Sequence, residues 1–528
     1  MNSLKLDQKE NQPNKIGRLL NTNPKIIVIH VTDTYFIEES KINDEVDLPG
    51  FARLYSLIDH IKSSQIVQEN KIPAVILHGG DFLYPSLMST HFHGQQMVEV
   101  LNYCGFNYCT LGNHDFDGGV KSLKTRMSEA AFDIICANIK DSKRDPMRIS
   151  GYVVCNDKNE QPSAAVIGIA GEATLRKARQ NGFETTSIES SLKQTIVTIK
   201  KNHPSIDQLI ILSHMSNEED VNLEQWLVSH WEGWFYVLGG HDHNEVLQYN
   251  DKNPKSVLLK GQSNCRTVQV IGVNRDPDFK NLCSLPENIC VLNSTDVSKF
   301  PPKLELEAKI RTWESKLEKH LDEPESDKII KQFKTNTVLD ATELQLRKGS
   351  TNFGNFIADC MCTFASSDIA LINSGHFRGD RRIGNILRLF DLRRIFVLDK
   401  KDSLVKIIMT REECIEFLIH AYTEEGRGKI LQLSKNTLHI LQESKPKEEF
   451  TVVLLWDMLK TNDDGFTTIL ANSRKTDVGS IISEIKKYVI PESSLFDVVE
   501  NSSKNVEYDP SIRLSVEKIS KTSLNATR

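Results

Sequence analysis

Residues 74–81 read Ala74-Val75-Ile76-Leu77-His78-Gly79-Gly80-Asp81, an apolar run of strand length that stops at two glycines and a carboxylate. The same construction recurs through the first half of the chain. The run at 26–31 precedes Asp33, the run at 208–212 leads into His214, and the run at 235–238 leads into Gly240 and His241. Two more apolar runs lie at 132–138 and 164–171, and stretches such as 51–61 and 94–101 between the runs are amphipathic. Short apolar runs alternating with amphipathic stretches are the pattern of a layered α/β domain. In such sheets the residues at the strand ends converge on one edge, where sites lie. Asp33, Asp81, His214 and His241 are therefore expected to meet.

At 528 residues, 39% hydrophobic and 26% charged, the chain is too long for one core and calls for two or three domains. Lys and Arg number 65 against 71 Asp and Glu, a net charge of −6 that offers no electrostatic footprint for a nucleic acid polymer or an anionic membrane. The first thirty residues are polar and charged, without the apolar core of a signal peptide. No apolar run approaches the ~20 residues of a membrane span. The ten cysteines are scattered, apart from Cys360 and Cys362, and show neither a disulfide framework nor a paired zinc spacing. Reduced thiols in a cytoplasmic protein are the expectation.

Periodicity is lost at 276–302, where Pro, Asn and Ser are frequent, which marks a boundary. A helix is expected over 303–321, with Ile310, Trp313, Leu317 and Leu321 on one face. A second α/β region runs over 335–514. The division expected is a flexible segment at 1–23, a catalytic domain at 24–295, a linker with its helix at 296–325, a second domain at 326–515 and a tail at 516–528.

The residues that carry chemistry form five clusters: Asp33-Thr34-Tyr35, Gly80-Asp81, Gly112-Asn113-His114-Asp115-Phe116-Asp117, Ser213-His214, and Gly240-His241-Asp242-His243. Oxygen and imidazole donors from five loops suit two divalent cations ~3.5–4 Å apart, as in two-metal hydrolysis of phosphate esters. Such a pair needs a bridging carboxylate, and Asp81 is the candidate. Gly80, Gly112 and Gly240 permit tight turns beside the donors.

This ordered set resembles the calcineurin-like metallophosphoesterases, and with the second region it resembles the 5'-nucleotidase family over 25–515. The resemblance implies an α/β chain: a four-layer α/β/β/α metallophosphoesterase sandwich, a linker helix and a C-terminal α/β substrate-binding domain. It implies Asp33, Asp81, Asn113, His214, His241 and His243 as metal ligands for two divalent ions, with Zn, Mn, Co and Mg not distinguished. It also implies His114 as the group that stabilises the transition state and protonates the leaving oxygen, oriented by Asp117. Tyr35 stands where the family has a histidine. A phenol is neutral unless a metal lowers its pKa from ~10, and it suits a ferric site better, so occupancy of the first site stays open.

In the second region, Asn352-Phe353-Gly354-Asn355-Phe356-Ile357-Ala358-Asp359, Asn373-Ser374-Gly375-His376-Phe377-Arg378 and Asn462-Asp463-Asp464-Gly465-Phe466 resemble three motifs of the family's substrate domain, in family order. The resemblance implies Asn373, Arg378 and Asp464 as substrate-binding residues. Lys400 and Met458 stand where the family sandwiches a base between two aromatic rings, and loss of both removes stacking worth ~1–3 kcal/mol per base. The expected activity is metal-dependent hydrolysis of phosphomonoesters, nucleotides first. The alternatives are a phosphodiesterase or sugar-phosphate phosphatase on the same scaffold, or a degenerate member that binds without catalysis. The expected partner is a small phosphate ester. His30, His78 and His376 are read as structural, and His91 and His93 as packing or solvated.

Overall fold

The computed structural model describes residues 12–42, 45–141, 146–250, 255–274, 288–320, 328–397, 403–423, 428–460, 465–490 and 495–508. They fall into two compact units, Met1–Glu318 and Lys319–Arg528.

The first unit is built on two six-stranded sheets. One runs Ile289–Asn293, Thr267–Val273, Ile26–Val31, Ala74–His78, Tyr108–Cys109, Asp133–Ile134. The other runs Val246–Tyr249, Ser256–Lys260, Trp234–Gly239, Gln208–His214, Pro162–Ala170, Tyr152–Asn156. In the first, four parallel strands from Ile26–Val31 to Asp133–Ile134 carry two antiparallel strands on one side; in the second, a parallel centre has one antiparallel strand at each edge. Side chains alternate across a strand, so Ile210 and Leu212 join Ile26, Val28 and Leu77 in a core between the sheets. Leu209 and Ile211 face the opposite way, onto Ile196 and Ile199 of the helix Ile188–Asn202 and Leu223 and Leu227 of Asn217–His230. With the helices Gly50–Ser63 and Gln95–Cys104, each burying one apolar face, this makes the four-layer α/β/β/α sandwich.

Two features of the first unit depart from the sequence reading. The segment 1–23, expected to be flexible, contains the helix Gln12–Asn21, which buries Ile16, Leu19 and Leu20. Three apolar residues at helical spacing are enough to fasten an otherwise polar segment. The helix expected at 303–321 spans Leu304–His320, with Leu306, Ile310, Trp313 and Leu317 buried, while Leu321 lies outside the described residues. It packs on the first unit: the Trp313 ring lies 5.1 Å from that of Phe92, and its indole N–H donates to Glu99 at 3.1 Å.

The second unit has a four-stranded mixed sheet, Leu404–Thr410, Glu449–Leu455, Ile369–Asn373, Leu431–Leu433, and two small antiparallel ribbons. Its core gathers Phe353, Phe356, Phe377, Phe396, Phe417 and Phe466. The Asn352–Asp359 motif acts as local architecture. Thr351 Oγ1 accepts from Gly354 N at 3.0 Å to cap the helix Asn352–Ala365, and Asn352, Asn355 and Asp359 accept backbone N–H groups of Asp340, Leu433 and Lys435. No described helix is long and apolar enough to cross a membrane.

Candidate active site

The strand ends of the two sheets meet at one edge. The Gly79 carbonyl, just past Ala74–His78, accepts from His214 Nδ1 at 2.8 Å and so joins the sheets there. Asp33 follows Ile26–Val31; its Oδ2 accepts from Thr32 Oγ1 at 2.6 Å and from the His241 amide at 3.0 Å. Its Oδ1 lies 3.2 Å from His243 Nε2. Asp81 Oδ1 accepts the His114 amide at 2.8 Å, and Oδ2 lies 3.3 Å from His214 Nε2. Ligand atoms of Asp33, Asp81 and His214 all fall within 4.8 Å of one another, and the His241 ring is 5.2 Å from that of His214. All six residues expected as ligands are in this neighbourhood, Asn113 lying beside His114.

The cluster is held at a conformational cost. Asp33, Asp81, His241 and His243 have φ of +52°, +56°, +79° and +58°, left-handed values that cost a non-glycine residue of order 1 kcal/mol or more. The glycines are required by close approach: a Cβ on Gly112 would lie 2.0 Å from Asp81 Oδ1, and one on Gly240 2.1 Å from Thr32 Oγ1.

Burial and mutual charge set the protonation pattern. Burial opposes ionisation of Asp81, yet His214 and His114 hold its carboxyl down to about 2. Asp33 is held well below the usual carboxylate range, against burial, by His243 and His214. Burial alone would lower His214, but Asp81 and Asp33 carry it up to about 10. Burial and the neighbouring His214 push His241 down to about 4. Asn113 Oδ1 is buried without a hydrogen-bond partner, and His214 Nε2 is buried facing Asp81 Oδ2 at 3.3 Å. Two buried carboxylates and an imidazole whose ligand atoms lie this close together, with a buried unpartnered amide oxygen on the adjoining Asn113 loop, fit a bound cation, since such groups otherwise pay desolvation without return.

His114 and Asp117 form the expected pair, with His114 Nδ1 2.6 Å from Asp117 Oδ2. The other Asp117 oxygen accepts from Lys177 Nζ at 2.9 Å. Despite burial, His114 and Lys177 hold Asp117 below the ordinary carboxylate range. Lys177, on the helix Glu172–Gln180, had no signal in sequence, because only folding brings it beside a residue sixty positions earlier.

Two further supports were missed. The Asp115 carboxylate accepts four backbone N–H groups, from Gly112, Asp81, Phe82 and Leu83 at 2.8–3.0 Å, which clamps the Asp81 loop to the Asn113 loop. Burial and the adjacent Asp81 push its carboxyl up to about 7. Its place inside the Gly112–Asp117 run was the available signal. Lys260, at the end of Ser256–Lys260, is buried, and its Nζ reaches the Met215 carbonyl at 2.7 Å, Asp220 Oδ2 at 2.8 Å and Asp242 Oδ2 at 3.0 Å. Asp220 Oδ1 in turn accepts from Ser213 Oγ at 2.6 Å. One ammonium thus braces the His214 loop against the His241–His243 turn. Lys260→Met is expected to cost ~3–5 kcal/mol by leaving two buried carboxylates without their counter-charge, read as a fall in Tm together with weaker metal binding. An unchanged Tm would contradict this bracing role.

Residues 26–245 match the family model of the calcineurin-like phosphoesterases, and residues 331–434 match the 5'-nucleotidase C-terminal domain. The chain thus carries a calcineurin-like phosphoesterase domain followed by a 5'-nucleotidase C-terminal domain. Human 5'-nucleotidase is 23% identical over 482 residues, covering 83% of this chain and 78% of that one. Endonuclease YhcR of Bacillus subtilis is 23% identical over 65% of this chain, which spans only 29% of that relative's length. The fold matches the crystal structure of a 5'-nucleotidase precursor from Thermus thermophilus with a TM-score of 0.67 at 16% identity, over 93% of this chain and 99% of that one.

In the 5'-nucleotidase C-terminal unit, Asn373 ends the strand Ile369–Asn373 and its side chain bonds His376 Nδ1. Arg378 Nε is buried without a hydrogen-bond partner. Asp464 and Lys400 lie outside the described residues. Met458 is 2% exposed and belongs to the core cluster, so it presents no surface to a ligand. His30 and His78 bond internally, His30 Nδ1 to Gln269 at 2.8 Å and His78 Nε2 to Thr34 Oγ1 at 2.8 Å.

Proposed function

We propose that the chain is a metal-dependent phosphomonoesterase acting on nucleotides or related phosphate esters. The convergence of Asp33, Asp81, Asn113, His214, His241 and His243 at one sheet edge, with the His114–Asp117 pair against it, carries the reading. Asp81 would bridge two metal ions, with Asp33 and His243 on one side and Asn113, His214 and His241, which suit a divalent ion, on the other. Bound there, the ions supply an activated water and offset charge on the phosphoryl oxygens. His114 is fixed through Nδ1 by Asp117, which leaves Nε2 to donate to a phosphoryl or leaving-group oxygen. Asn373, Arg378 and Asp464 are proposed to hold the part of the substrate remote from phosphorus.

The test is turnover of p-nitrophenyl phosphate and bis(p-nitrophenyl) phosphate alongside metal analysis: metal-bound protein that turns over neither would leave only the scaffold reading. The buried Met458 favours a second reading, in which the ester is a phosphodiester or sugar phosphate and AMP has no advantage in kcat/KM over simple phosphomonoesters. A strong AMP preference would remove that second reading. Arg378→Ala is expected to raise KM ~10-fold or more with kcat little changed, since a guanidinium contact to a charged ligand is worth ~1.5–3 kcal/mol. An unchanged KM on every ester tested would release Arg378 from substrate binding. The nine described cysteines are all unpaired, which supports a reducing, cytoplasmic setting.

A further inference from the structure

We propose that Tyr84 is a positioning residue for the His114–Asp117 pair: its ring seats on Gly118, the residue after Asp117, and fixes the turn from which Asp117 reaches the His114 imidazole. The proposal rests on the reading of His114 as the group that protonates the leaving oxygen.

Two adjacent glycines reveal the contact. Gly119 has φ of +78°, and a Cβ there would meet nothing within 4 Å, so its backbone alone accounts for it. Gly118 has φ −78° and ψ 0°, values open to residues with a side chain. A Cβ on Gly118 would nevertheless lie 2.1 Å from Tyr84 Oη, 2.5 Å from Cζ and 2.6 Å from Cε2. The phenol, and not the backbone, requires a glycine at 118.

Tyr84 is itself held in place. It is 7% exposed, and its hydroxyl lies 3.2 Å from Ser122 Oγ, in the first turn of the helix Gly119–Glu129, and 3.4 Å from His93 Nδ1. The amide of the preceding Leu83 donates to Asp115 Oδ1 at 2.9 Å. The ring is therefore carried by backbone that is fastened two residues before Asp117 and pressed on the residue after it.

Asp117 is thus supported from two directions. Lys177 reaches its Oδ1 by charge at 2.9 Å, while Tyr84 limits the backbone that carries it. The Asp117 amide also donates to the His114 carbonyl at 3.0 Å, so movement of this turn alters the 2.6 Å contact between the two side chains. Misplacement of a reacting group by ~1 Å can cost ~10²-fold in rate. The polar contacts of Tyr84 are with Ser122 and His93, outside the proposed ligand set, so its loss should disturb the pair and spare the metals.

The test uses the metal-loaded full chain and two esters of similar shape, p-nitrophenyl phosphate and phenyl phosphate, whose more basic leaving oxygen depends more on protonation. Tyr84→Ala should lower kcat ~10-fold or more for phenyl phosphate and no more than ~3-fold for p-nitrophenyl phosphate, with KM and metal content unchanged. Tyr84→Phe, which keeps the ring on Gly118, should retain most of the activity. Gly118→Ala should reproduce the Tyr84→Ala loss by driving a methyl group into the phenol, and it carries the test if Tyr84→Ala does not fold. Added to Tyr84→Ala, the same substitution should cost nothing further, because the space is already vacated. Equal losses on both esters, loss of metal in Tyr84→Ala, or a Gly118→Ala penalty that persists in the Tyr84→Ala background overturns the proposal. His114→Ala on the same esters keeps the two readings apart. Leaving-group dependence in His114→Ala but not in Tyr84→Ala rejects the positioning role and leaves the acid standing; its absence from both removes the acid role and the proposal with it.

Discussion

Asp81→Ala abolishes turnover and prevents retention of both metal ions. Asp81 reaches both sides: its Oδ2 lies 3.3 Å from His214 Nε2 and 3.4 Å from the Tyr35 hydroxyl, while Oδ1 accepts the His114 amide. Its loss therefore strips a donor from each side at once and frees the backbone that carries His114. Asp33→Ala removes the oxygen that lies 3.2 Å from His243 Nε2 and should weaken that side first. Metal content per chain distinguishes the two variants, and a chelator adds a second measurement. Removing metal from the wild type should lower its Tm, because binding to the folded state contributes stability, whereas Asp81→Ala should be indifferent to chelator. Two metals retained by Asp81→Ala would falsify the bridging assignment.

His114→Ala lowers kcat by ~10²-fold or more with metal content unchanged. The two roles of His114 separate in the structure. Its amide holds Asp81 Oδ1, and any residue other than proline supplies that amide, whereas its ring makes the 2.6 Å contact with Asp117. Truncation thus removes the acid and keeps the metal cradle. Asp117→Ala should cost less, because the ring stays present though less well oriented. Lys177→Met should cost less again, since the Lys177 ammonium acts through Asp117. A kcat in His114→Ala equal to the wild type would place the protonating group elsewhere, and loss of metal in that variant would mean that the ring itself ligates.

Much of this was legible from residues alone. Apolar runs of strand length with polar stops announced a layered α/β domain, because a strand buried on both faces must be apolar throughout and can become polar only where the sheet ends. The runs at 26–31, 74–78 and 208–214 became the strands whose ends carry Asp33, Asp81 and His214. The ordered clusters named the six candidate ligands and the His114–Asp117 pair, whose three-residue spacing puts both side chains on one short turn.

The supports were not legible, for a common reason. Lys177, Asp220, Lys260 and Asn264 carry no local pattern, and a buried ion pair or side-chain cap is set by which distant segments the sheets bring together. Position 35 shows the division most clearly. In sequence it is a departure from a motif, open to reading as a weakened or missing ligand, because residue type states what a tyrosine can do but not where its oxygen lies. The pairing of Ile26–Val31 with Ala74–His78, and the packing of the second sheet's His243 turn against the Asp33 loop, set that oxygen among three donors. Composition and spacing determine which chemical groups are available at the strand ends. Tertiary structure decides which of them share one desolvated volume, because only there do distances of about 3 Å and the loss of water turn available donors into a site.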